Sequence, residues 1–249
     1  MILDKAWVEL NEINGVELLK NIELAAKQCY RSQGNITEDS YKNFLRNCIN
    51  RGHESVIEHE KVTVRLKTDV GSYKDLTRHR HASFSVESTR YCNYSKDKFG
   101  NAIHYIKPVW YTDSWKIAQS YNEPMTEEEQ KSYEWYKCME EIEQHYLKMS
   151  ELGCTPDQLR MILPHSTAGE LVMTADLREW RHILSLRADS HAHPSCRQVM
   201  IPILLYFKDT MPELFDQIEY DYDFDPNKYA ELRIKDNSET GYHIYKFNK

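Results

Sequence analysis

Between Arg78 and Tyr91 the chain sets Arg78, His79, Arg80, His81 and Arg90 among Ser83, Ser85, Ser88 and Thr89, with Glu87 as the one acid. Arginine forks bind phosphate bidentately, and hydroxyls and loop amides supply further donors. This mixture suits an anion pocket that also offers a flat ligand something to stack on. The competing reading is a solvated basic face or a salt-bridge network. Here the charges alternate with small hydroxyl residues rather than with Lys and Glu, which favours the pocket.

A second arginine group lies further along. Trp180, Ile183, Leu184 and Arg187 recur at the spacing of one helical face, so Arg187 closes an apolar stripe. A guanidinium against apolar surface is costly unless an anion or acceptor meets it. An ion pair with nearby Asp189 is the alternative. The other side of the same helix carries Arg178, Arg181 and His182.

Other reactive residues promise less. His53-Glu54-Ser55-Val56-Ile57-Glu58-His59 looks like a zinc helix, but its histidines are six apart and would not share a helical face. His191 and His193 have strand-like spacing, so no metal site is expected. Ser88 and Cys92 read as structural groups, because no triad order surrounds either.

These residues need a scaffold, and the pattern supplies one that is mainly helical. A strand is expected over 2–12, then helices from about Val16 to Cys29 and from Asp39 to Asn50. Residues 61–69 alternate strictly, with Val62, Val64 and Leu66 on one face, as a half-buried strand does. A short helix from Tyr73 to Arg80 leads into an irregular basic loop ending near Ser95, and 102–107 forms a strand. Thr126 with Glu129 makes a capping box for a long helix over Glu127 to Leu152, which Gly153 ends. Thr155, Pro156 and Gln158 start the next helix. Leu171–Thr174 is a short strand and 177–188 a helix. Pro194 opens a helical stretch to Ile218, interrupted near Pro202. Residues 219–249 show little periodicity and read as a partly ordered extension. Helices outnumber non-consecutive strands, so the fold class is α+β.

Bulk properties narrow the function further. With 249 residues there is room for a sizeable core without staples. The net charge of −7 lacks the broad basic face of a nucleic-acid binder, so an anionic ligand must meet a local cluster. Only 8 glycines occur, too scattered for a G-x-G-x-x-G turn or a P-loop, so any nucleotide is held by side chains. The six cysteines form no C-x-x-C pair, which fits reduced thiols. Early charges argue against a signal peptide, and the longest apolar run, Met200–Phe207, is too short for a bilayer. A cytoplasmic protein without membrane contact is expected. Residue types alone leave two other classes open: a nucleotide- or RNA-binding module, and a structural subunit whose arginines staple an oligomer.

Arg78-His79-Arg80, seven residues, then Ser88, followed by Arg90-Tyr91, resembles the R-H-R-x7-S signature of flavin-dependent thymidylate synthases. Three further blocks are similar in family order: Gly52-His53-Glu54-Ser55 with Glu58-His59, Arg160 before Ile162-Leu163-Pro164, and Leu186-Arg187-Ala188-Asp189-Ser190-His191-Ala192. The chain departs from the family pattern at Ser85-Val86, where the usual acid comes one position later as Glu87, and at Asp75, Asp176 and His182. The resemblance implies a catalytic domain over 1–218, a central mostly antiparallel sheet flanked by helices, with 219–249 as an extension. It also implies a homotetramer with active sites between subunits. FAD would contact Ser55, Arg78, His79, Arg80, Asp176, Arg178 and His182. The substrate dUMP would contact Asp75, Arg78, Glu87, Ser88, Arg90, Arg160 and Arg187, with Arg187 catalytic. Methylenetetrahydrofolate would give the carbon, and NADPH would reduce the flavin.

Overall fold

The computed structural model describes residues 1–236 and 241–247. The expected first strand is two: β1 (Ile2–Asp4) and β2 (Ala6–Asn11). They part company at Lys5, because β1 joins a small separate sheet. Helix α1 (Gly15–Lys27) is capped by Asn14, whose side chain accepts from the Glu17 amide. A Cβ on Gly15 would sit 1.9 Å from the Thr210 carbonyl oxygen, so glycine is what lets this helix start so close to another backbone. Helix α2 (Ser40–Asn50) and a 3-10 turn over Glu54–His59 follow.

Strand β3 (Lys61–Asp69) buries Val62, Val64 and Leu66 as its alternation requires. It runs without a loop into α3 (Val70–Leu76), because the Asp69 side chain caps the helix by accepting from the Ser72 amide at 2.7 Å. This helix begins and ends earlier than the sequence predicts, so Arg78, His79 and Arg80 lie beyond it. Within the expected loop, β4 (Ser83–Val86) forms a strand. The serine–apolar alternation suits an edge position with Phe84 turned towards the core. Strand β5 (His104–Ile106) pairs in parallel with β1.

Helices α4 (Ser114–Ser120) and α5 (Glu127–Glu151) come next, and the Thr126–Glu129 capping box is formed as expected. Around α5 a second apolar cluster gathers Tyr94, Ile103, Tyr105, Met139, Tyr146 and Leu159. Helix α6 (Pro156–Leu159) has its own capping box. Strand β6 (Ala168–Asp176) is longer at both ends than its apolar stretch suggested, since pairing to β3 along nine residues carries it on. Helix α7 (Leu177–Arg187) follows directly, capped by Asp176.

Helix α8 (Pro194–Thr210) passes through Pro202 without ending and stops at Met211, before α9 (Pro212–Phe215). Proline removes one hydrogen bond from a helix interior. Here Val199, Met200, Ile201, Ile203 and Leu204 are all fully buried around it, and that packing holds the helix together. Beyond α10 (Pro226–Tyr229), β7 (Ala230–Lys235) and β8 (His243–Tyr245) join the main sheet. The strand order is β4-β6-β3-β2-β7-β8. Every pair is antiparallel except β2 with β7. This is the α+β architecture with a mostly antiparallel sheet. The 219–249 stretch supplies two of its strands, with Ala230, Leu232 and Ile234 buried; residues 237–240 and 248–249 lie outside the described residues.

Candidate active site

Strands β3 and β6 each run straight into a helix, and both helices, α3 and α7, pack against α8. Their C-terminal ends meet there. Trp180, Ile183 and Leu184 are fully buried, and the Trp180 indole N–H donates to the Val62 carbonyl at 3.0 Å. The apolar stripe thus anchors α7 and delivers Arg187 to the end of α3. The Arg187 Nη2 donates to the Asp75 carbonyl at 3.0 Å, satisfying a helix-end carbonyl that α3 leaves open. Its Nε donates to His79 Nε2 at 3.1 Å. No carboxylate lies within ion-pair distance of Arg187 among the described residues. Asp189, the alternative partner, binds His191 at 2.7 Å instead.

His79 is 5% exposed. Arginine can only donate, so Nε2 must accept and the ring proton sits on Nδ1. Burial lowers the imidazole from its ordinary 6.5 to about 4, helped by the charge of Arg187 and by His182, against the opposing pull of Asp75. His79 is therefore neutral near pH 7. Its Nδ1 lies 3.5 Å from Glu179 Oε1, and its edge meets the His182 ring with centroids 5.7 Å apart.

The Asp75 carboxylate accepts from the Cys196 thiol at 3.6 Å. Burial, with the charge of Asp75 adding to it, pushes that thiol up to about 12. Such a thiol is no nucleophile at neutral pH.

A cavity of about 540 Å³ is lined by Glu54, Glu58, His81, Asp176, Arg178, Glu179 and His182. Asp176, expected as a cofactor contact, lines this cavity and also caps α7, its Oδ1 accepting from the Glu179 amide at 2.8 Å. Arg178 is paired with Glu58 at 2.5 Å, and Arg181 with Glu54 at 3.3 Å. The Nε and Nη1 of Arg181 are buried without a partner. Ser55 is exposed on the 3-10 turn that packs against α7.

The remaining predicted residues divide. Arg78 and Arg80 are exposed beside His79 and make no ion pair among the described residues. Glu87 turns inward: one oxygen accepts from the Tyr94 hydroxyl at 3.0 Å and the other from the Glu170 amide at 3.2 Å. The one-position shift of this acid ties it to the sheet. Ser88 is half-buried, and its hydroxyl accepts from the Arg90 amide. The Arg90 side chain meets Asp157 of α6 at 3.1 Å, three residues before the exposed Arg160, which makes no ion pair among the described residues. Arg90 and Arg160 thus share one region, and among the described residues no side-chain bond links them to Arg187. Glu179 escaped the sequence reading, although its helical spacing from Asp176 and His182 puts all three on one edge of α7.

Arg78, Arg80 and Arg160, without ion pairs among the described residues, and the imidazoles lining the neighbouring cavity are a donor set that fits an anionic nucleotide and the polar edge and phosphates of a flavin. The cavity itself carries four carboxylates, a poor match for phosphate, whereas the arginines outside it have the charge that suits one. Among the described residues no cluster of His, Cys, Asp and Glu is placed to hold a metal, and no helix is long and apolar enough to cross a membrane.

Residues 16–213 match the family described as thymidylate synthase complementing protein. The chain is 30% identical over 232 residues to the flavin-dependent thymidylate synthase of Thermosipho melanesiensis, covering 93% of this chain and 98% of that relative. It is 25% identical to the enzyme of the same name from Corynebacterium glutamicum, over 84% of this chain and 82% of the relative. A probable flavin-dependent thymidylate synthase of Mycobacterium phage D29 is also 25% identical, over 86% of this chain and 91% of the relative.

Proposed function

The chain belongs to the flavin-dependent thymidylate synthase family, and on that premise we propose that it methylates dUMP to dTMP with methylenetetrahydrofolate as carbon donor, FAD as cofactor and NADPH as reductant. The observation that carries this reading is Arg187. Its guanidinium rests on a neutral imidazole and a backbone carbonyl, and among the described residues of this acidic chain no carboxylate pairs with it. A cation left in that state is poised for negative charge that a ligand brings or develops.

Arg187 faces the pyrimidine and stabilises negative charge on its N3–C4 carbonyl side as C5 becomes nucleophilic. One preorganised donor of this kind contributes about 3 kcal/mol of transition-state stabilisation. Arg78 and Arg90 grip the phosphate and ribose of dUMP with Ser88 and Arg160, while Asp75 and Glu87 orient that segment. Arg78, His79 and Arg80, with Ser55, Asp176, Arg178 and His182, hold FAD. The reduced flavin, when bound, supplies the hydride that completes the methyl group. Among the described residues Arg90 and Arg160 have no link to Arg187, which suits a site completed between subunits of a homotetramer. The buried, weakly acidic Cys196 favours activation by charge over covalent attack.

The purified protein is expected to show a flavin absorbance spectrum and to form dTMP from dUMP, methylenetetrahydrofolate and NADPH. A protein that holds no FAD even with dUMP present would end this reading.

A further inference from the structure

Glu179 is the unexplained group beside the site. Its side chain is 10% exposed at the cavity wall, makes no hydrogen bond among the described residues, and meets His79 Nδ1 at 3.5 Å. A carboxylate at the edge of a cavity is oriented by whatever donor the protein sets against it. His79 provides that donor. Arg187 Nε occupies Nε2 as a donor, which leaves the ring's only proton on Nδ1, pointing at Glu179.

We propose that Glu179 is a positioning residue: through the His79 imidazole it fixes the direction in which Arg187 presents its guanidinium to the pyrimidine. This rests on the functional reading above. The arrangement is carboxylate, imidazole N–H, imidazole N, guanidinium N–H, and no proton or covalent bond changes hands. At 3.5 Å the Glu179–His79 contact is longer than a formed hydrogen bond, as such contacts often are before a ligand closes the site. The groups facing His79 are Glu179, His182 and Arg187 from α7 and Asp75 from α3. Of these, Glu179 is the carboxylate within 4 Å of a ring nitrogen. Its effect is to favour the Nδ1–H tautomer. The other tautomer would set an N–H against the Arg187 N–H, and the guanidinium would swing away.

Glu179→Gln is the sharp test, because the amide keeps the shape yet can donate to Nδ1 and so permits the wrong tautomer. With the FAD-loaded enzyme, kcat for dTMP formation should fall about tenfold or more, while KM for dUMP stays within about threefold. Glu179→Asp, which retains the carboxylate, should recover part of the loss. If Glu179 acts only through His79, a double Glu179→Gln, His79→Gln variant should be no slower than His79→Gln alone. Losses that multiply in the double variant overturn the proposal. So does a kcat for Glu179→Gln within about twofold of wild type, or a Tm or FAD-binding loss in both Glu179 variants that accounts for the drop. Wild-type turnover measured alongside separates the two readings: an inactive wild type removes the functional assignment and this proposal with it, whereas an active wild type with an indifferent Glu179 removes only this one.

Discussion

His79 makes stability depend on acidity in a calculable direction. Its imidazole ordinarily titrates near 6.5, and burial, then Arg187 and His182, lower it to about 4 in the folded chain. As pH falls through 6.5 the unfolded chain takes up a proton that the folded chain refuses. Unfolding therefore binds protons in this window, and stability must fall as pH falls. The contribution is complete above pH 6.5 and is lost by about pH 4. A shift of that size corresponds to roughly 3 kcal/mol, a large share of the 5–15 kcal/mol typical of a domain. The perturbation is His79→Gln, which keeps an amide to accept from Arg187 and cannot titrate. Urea unfolding of wild type and variant at steps from about pH 7.5 to 4.5 isolates the effect, since carboxylates common to both cancel in the difference. Wild type should lose stability faster than the variant by roughly 1.4 kcal/mol per pH unit once below 6.5. Parallel curves across that window would refute a buried, neutral His79.

Three further outcomes follow from the packing around the site. Arg187→Ala should keep the fold and lose about a hundredfold or more of dTMP formation, measured by product release from FAD-loaded enzyme; wild-type turnover would remove Arg187 from the mechanism. Cys196→Ala should retain substantial dTMP formation, whereas a folded, FAD-binding but inactive variant would reopen covalent catalysis. Leu232→Ala, in the buried face of β7, should cost about 2–5 kcal/mol in chemical denaturation; a change under about 0.5 kcal/mol would mean that the C-terminal strand is not part of the folded sheet.

The last of these bears on what could be read in advance. The alternation Ala230, Leu232, Ile234 is a strand signal, but it is short and sits between Tyr- and charge-rich stretches. Only the parallel pairing to β2 makes it strand, and a partner more than two hundred residues away leaves no local mark. Strand β4 is similar: Ser83–Val86 gains its conformation from β6.

Local chemistry determined a good deal by itself. The capping box of α5, the alternation of β3 and the stripe ending at Arg187 are set by neighbours within a turn or a pleat, so spacing reveals them. The arginine-rich loop and its family resemblance were legible for the same reason. What carries Arg187 was not. Its partners, His79 and the Asp75 carbonyl, lie 108 and 112 residues away, and Glu179 matters only once the His79 ring has lodged against α7. Asp176 and Glu87 gain contacts that their spacing did not announce, since folding makes one the cap of α7 and ties the other to Tyr94 and the β6 backbone. Sequence specifies which groups a chain owns; burial and long-range pairing select which of them stay free to meet a ligand.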